Sequence, residues 1–137
     1  MINKNQLKLF ESRSLNPVYE IKRQIRLILS TTHLSRDQIP EKMNALSARE
    51  NMPGRKISKD TIDAWCKDSE PSRLPSSLEL MLFCYVMEDI GPLTALASPL
   101  GCKIIDEEEI KILNYGKADL LNRKTARKRR LLLEEVE

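Results

Sequence analysis

The sequence predicts an all-α protein: a compact helical domain of five or six helices containing a helix-turn-helix, followed by a C-terminal basic helix. Three observations predict it. Apolar residues recur at three- and four-residue spacing along most of the chain, and strand-like alternation is scarce. Only four glycines are present, so the helical runs are punctuated by few breaks. Capping residues stand where those runs begin. A chain of 137 residues is expected to form one domain with a short appendage. The division read here is an N-terminal arm over 1–15, a helical domain over 16–105, and a C-terminal helix with a basic block over 106–137.

The elements follow in order. Asn16 and Pro17 supply an N-cap and a proline suited to the first helical position. Val18, Ile21, Ile25 and Ile28 then share one face, which predicts a first helix ending near Ser30 to His33. Ser35 and Gln38 have capping-box spacing, and Ile39, Met43 and Leu46 continue a second helix. Pro40 either kinks that helix or starts it. Pro53-Gly54 is a turn signal. Ser58 caps a third helix whose inward residues are Ile57, Ile62 and Trp65. Residues 68–75 read as a loop. Ser76 or Ser77 opens a fourth helix through about Met87, apolar nearly all round and therefore expected at the centre of the core. Gly91-Pro92 opens a fifth, closed by Gly101 as a glycine cap. Residues 102–105 form a connector. Asp106 caps a last helix with Glu107, Glu108 and Glu109 complementing its dipole, running toward Leu133 with Gly116 as a weak point midway.

Composition bounds the function. The net charge of +3 is too small to identify a nucleic-acid partner, so the distribution of charge matters more than its sum. Cys66, Cys84 and Cys102 are odd in number and form no CxxC pair, which fits a reducing cytoplasm. Cys84 lies in the apolar run and reads as a buried small hydrophobe. His33 is the single histidine, so no metal site is expected. No stretch approaches the roughly 20 apolar residues that cross a bilayer, and residues 1–11 lack the apolar centre of a signal peptide. The four glycines are too scattered to form a phosphate loop. Neither catalysis, a cofactor nor a small-molecule substrate is expected.

The segment Ile57-Ser58-Lys59-Asp60-Thr61-Ile62-Asp63-Ala64-Trp65-Cys66 carries the strongest functional signal. Ile57, Ile62 and Trp65 would anchor a short helix on the domain, leaving its opposite face to enter a major groove. That face is expected to hold Ser58, Lys59, Asp60, Asp63, Ala64 and Lys67, and Thr61 is counted among the DNA-contacting set. This segment resembles the recognition half of a helix-turn-helix. Together with Leu34 to Gln38, the pattern Ser58-x-x-Thr61-Ile62-x-x-Trp65 resembles small prophage-encoded helix-turn-helix regulators over roughly residues 34–101. The resemblance implies double-stranded DNA as partner and transcriptional regulation as role. Two features depart from the motif. The usual turn has three or four residues, whereas residues 47–57 make a longer polar loop in which Arg55 and Lys56 are candidate phosphate contacts. Asp60 and Asp63 also place negative charge on the face meant for DNA.

The second signal is Arg123-Lys124-Thr125-Ala126-Arg127-Lys128-Arg129-Arg130, where six of eight residues are basic. Such a block can neutralise several phosphates and add salt-dependent affinity, or it can simply be a solvated helix end. Leu131, Leu132, Leu133 and Val136 beyond it are apolar without obvious cover and suggest a partner helix or dimer seam. Arg13, Lys22, Arg23 and Arg26 form a milder set that reads as an exposed helix face. The expectation is therefore a cytoplasmic, sequence-specific DNA-binding regulator that forms a homo-oligomer on a repeated site. A protein-interaction adaptor, or an RNA binder using the arginine-rich tail, is the alternative.

Overall fold

The structure is a computed structural model and describes residues 14–136. The expected arm over 1–15, and Arg13 with it, falls almost wholly outside the described residues. The described residues form six α-helices and one short 3₁₀ turn, and among them there is no strand. The helices are α1 (Val18–Thr31), α2 (Gln38–Arg49), α3 (Lys59–Trp65), α4 (Ser77–Met87), α5 (Gly91–Ala97) and α6 (Glu107–Val136), with the 3₁₀ turn at Ser98–Leu100. The chain divides into two compact units, 1–104 and 105–137.

Local chemistry explains the boundaries in the first unit. Pro17, expected at the first helical position, is itself the cap of α1: its carbonyl accepts from the Ile21 amide at 2.9 Å, and the Asn16 side chain, one residue earlier, accepts from the Val18 amide. Ser35 and Gln38 form the reciprocal capping-box bonds, Gln38 N–H to Ser35 Oγ at 3.2 Å and Ser35 N–H to Gln38 Oε1 at 2.8 Å. Pro40 does not begin α2, which starts at Gln38. It sits in the first turn, where its missing amide would have had no intrahelical acceptor. Ser76 and Glu79 form a second capping box, at the start of α4. Gly101 closes the 3₁₀ turn with φ of 70°, a left-handed conformation that suits glycine.

The core of this unit joins Ile21, Ile25, Ile28 and Leu29 of α1 to Ile39 and Met43 of α2, Ile62 and Trp65 of α3, and Leu82 and Phe83 of α4. Trp65 meets Phe83 edge to face, with ring centroids 6.3 Å apart. α1 packs on α5, α4 packs on α2 and α5, and α2 packs on α3.

α4 is less enclosed than its composition predicts. Leu80, Leu82, Phe83 and Cys84 are buried, but Met81 and Tyr85 are 51% and 67% exposed. The helices of a small domain cover only part of α4. Its other side borders a cleft of about 180 Å³ lined by Leu46, Met52, Met81 and Tyr85 among others. Among the described residues no helix is long and apolar enough to cross a membrane.

The second unit is the single helix α6. Asp106 Oδ1 accepts from the Glu109 amide at 2.7 Å, so the expected cap is present. Gly116 does not interrupt the helix.

Candidate nucleic-acid interface

The site is built around α3, a helix of two turns. Alone it would not hold its shape, because so short a helix does not offset its nucleation cost. Three neighbours supply what it lacks.

At its N-terminus, Ser58 is the cap. Its hydroxyl accepts from the Thr61 amide at 3.2 Å and hydrogen-bonds the Thr61 hydroxyl at 3.0 Å. One residue earlier, Ile57 is clamped by Asn44 of α2. The Asn44 carboxamide oxygen accepts from the Ile57 amide at 2.8 Å, and its NH₂ donates to the Ile57 carbonyl at 2.7 Å. Both backbone groups of Ile57 are thereby satisfied while its side chain stays buried.

At its C-terminus, α1 provides two cations. The Lys22 ammonium donates to the carbonyls of Ala64 at 3.0 Å, Trp65 at 3.3 Å and Arg73 at 2.9 Å. Arg26 donates to the Cys66 carbonyl and to the Asp68 carboxylate, each at 2.8 Å. Terminal carbonyls of a helix have no intrahelical donor, and the negative end of the dipole favours positive charge. Burial pushes the Lys22 ammonium below the usual lysine range, while the nearby carboxylates of Asp68 and Glu70 oppose that shift.

This corrects the reading of the α1 cations as one exposed face. Lys22 has no exposed surface and is part of the core. A signal for this was present in the sequence: Lys22 lies within the apolar stripe of Val18, Ile21, Ile25 and Leu29. Asn44 had no comparable signal, because its partner is a backbone thirteen residues away.

The predicted contact residues separate into groups. Lys56, Ser58, Lys59, Asp60 and Lys67 are exposed, so the structure brings these five to the outer side of α3 and its flanks. Thr61 and Ala64 point inward and are buried at 9% and 2% exposure, which removes them from the contact set. The helix turns them toward the core together with Ile62 and Trp65. Asp63 is half-buried and faces Arg36 from the start of α2, at 3.6 Å. Arg55 does not stand free. Its guanidinium pairs with Glu79 of α4 at 3.0 Å, which ties the 50–58 loop to the core. Burial alone would raise the Glu79 carboxyl, but Arg55 and the Ser76 amide outweigh it and hold the group below its ordinary value. Gly54, with φ of 136°, lets this loop turn as few other residues would.

Arg123, Lys124, Arg127, Lys128, Arg129 and Arg130 are all exposed along α6. Arg123 pairs with Asp119 one turn earlier, at 3.1 Å. These six belong to the second unit, whereas α3 belongs to the first. Burial pushes up the thiols of Cys66 and Cys84, which favours their protonated, unreactive forms. Comparison of the chain with protein-family models, curated proteins and solved structures found no match.

Proposed function

We propose that the protein binds double-stranded DNA and acts as a cytoplasmic transcriptional regulator of the helix-turn-helix kind, of phage or prophage genes. The observation that carries this reading is the anchoring of α3 at both ends. Asn44 fixes its entry and Lys22 with Arg26 fixes its exit, so a two-turn helix is held rigidly with Lys59, Asp60 and Lys67 outward. A helix of this size fits a major groove roughly 12 Å wide. Lys59 and Lys67 contact phosphates or base edges, and Lys56 contacts the backbone beside them. Arg36 offsets the charge of Asp63, which lessens its repulsion of phosphate. The basic block of α6 adds affinity that falls with salt. A single α3 reads few bases, so the regulator works as an oligomer on repeated sites.

The mixed charge of the outer face, with Asp60 and Asp63 beside Lys59 and Lys67, supports a second reading as a protein adaptor. A titration against a duplex selected from a random pool, and against a scrambled duplex, at two salt concentrations separates the readings. The DNA reading predicts preference for the selected duplex that survives the higher salt. Equal binding that vanishes with salt leaves only the basic tail as a DNA contact, and absence of binding favours the adaptor.

A further inference from the structure

α6 carries one face whose residues are arranged as a palindrome. Glu109, Ile112, Gly116, Leu120 and Arg123 are separated by three, four, four and three residues, so they share one side of the helix. Gly116 is the centre. Four residues to either side stand Ile112 and Leu120, exposed by 67% and 57%. Seven residues to either side stand an acid, Glu109, and a base, Arg123. A Cβ built on Gly116 meets nothing within 4 Å, so the helix surface is open there.

We propose that this face binds a second copy of the chain, with the two α6 helices antiparallel and crossing at Gly116. In that register each Ile112 meets Leu120 of the other copy, and each Glu109 meets Arg123 of the other copy. The missing side chain at position 116 lets the two backbones approach closely where they cross. Charge selects the direction. The helix begins with Glu107, Glu108 and Glu109 and carries six of its eight basic residues between 123 and 130, so a parallel pair would set acid against acid and base against base. In the antiparallel pair the acidic start of each helix faces the beginning of the other's basic block, with Glu109 against Arg123. The contact is isologous and closes after two copies. It does not rest on the DNA reading, although it suits it. Residues Arg127 to Arg130 of each copy project past the start of the other helix, and the centres of these two segments lie roughly 38 Å apart at 1.5 Å per residue. That is close to one turn of DNA.

Sedimentation equilibrium of the full chain, without DNA, tests the proposal. The expected result is a dimer whose dissociation constant rises about tenfold in Glu109→Arg. Arg123→Glu has the same effect, and combining the two reversals restores the dimer because the charges pair again. Glu109→Arg is the cleaner single change, since Arg123 also bonds Asp119 within its own helix. Gly116→Leu weakens the dimer while circular dichroism shows helix content retained. A chain that stays monomeric at millimolar concentration overturns the proposal. So does a dimer indifferent to both single reversals, or one that the double reversal fails to restore with helix content intact.

Discussion

Lys22 of α1 donates to the carbonyl of Trp65, the last residue of α3, at 3.3 Å. The same ammonium holds Ala64 and Arg73, so one buried side chain ties the end of the candidate recognition helix to the loop that follows. Replacing it removes three charge-assisted bonds and strands the carbonyls of Trp65 and Arg73, while that of Ala64 keeps the Lys67 amide at 3.2 Å. Lys22→Met is therefore expected to lower stability by about 2–4 kcal/mol in urea unfolding. A loss below about 0.5 kcal/mol would show that the carbonyls find other partners.

Asn44 holds the opposite end. Asn44→Asp keeps the acceptor for the Ile57 amide but sets a carboxylate oxygen against the Ile57 carbonyl. The expected cost is about 1–3 kcal/mol at neutral pH, partly recovered in acid when the carboxyl is protonated and donates. Urea unfolding at pH 7 and pH 4 checks both parts. Equal losses at the two pH values would contradict the clamp.

Glu79 makes stability depend on pH. Its folded-state value lies below the ordinary one, so its contribution is present above about pH 4.5 and is lost as pH falls through the folded value. Glu79→Gln should flatten stability against pH in that acid range. Arg55→Ala should raise the Glu79 value and cost about 1 kcal/mol or less, because the guanidinium is half exposed. NMR titration of the Glu79 carboxyl in the Arg55→Ala chain gives the direct reading. An unchanged titration would separate the loop from α4.

Much of the helical layout was legible because it depends on neighbours in the chain. The Ser35–Gln38 box, the Ser58 cap, the Asp106 cap and the left-handed Gly101 all act within three or four residues. The inward set of Ile57, Ile62 and Trp65 followed from period. What escaped depends on contacts across the chain. The sense of Lys22 comes from helix ends more than forty residues away, and the pairing of Arg55 comes from a glutamate on α4. Thr61 and Ala64 were misplaced because a two-turn helix shows too little periodicity to divide its faces. Met81 and Tyr85 stay exposed because composition does not reveal how many neighbours a helix acquires.

Glu88 is a local feature that composition also does not reveal. It ends α4 in the left-handed conformation, with φ of 53°, where a glycine is usual. Glu88→Gly should raise stability by about 0.5–1 kcal/mol, the relief of a side chain from that region less the added freedom of the unfolded chain. Thermal unfolding checks the sign, and a lower midpoint would show that the side chain contributes more than the strain removes.

Under the proposed function, the outer face of α3 reads DNA. The most direct measurement is a titration of a selected duplex with the Lys59→Ala/Lys67→Ala chain, beside a scrambled duplex at the same salt. Both lysines are exposed, so the variant is expected to fold as the parent does. Affinity for the selected duplex is expected to fall at least tenfold and to approach that for the scrambled one, whose binding by the α6 block changes little. Unchanged preference for the selected duplex would contradict that function.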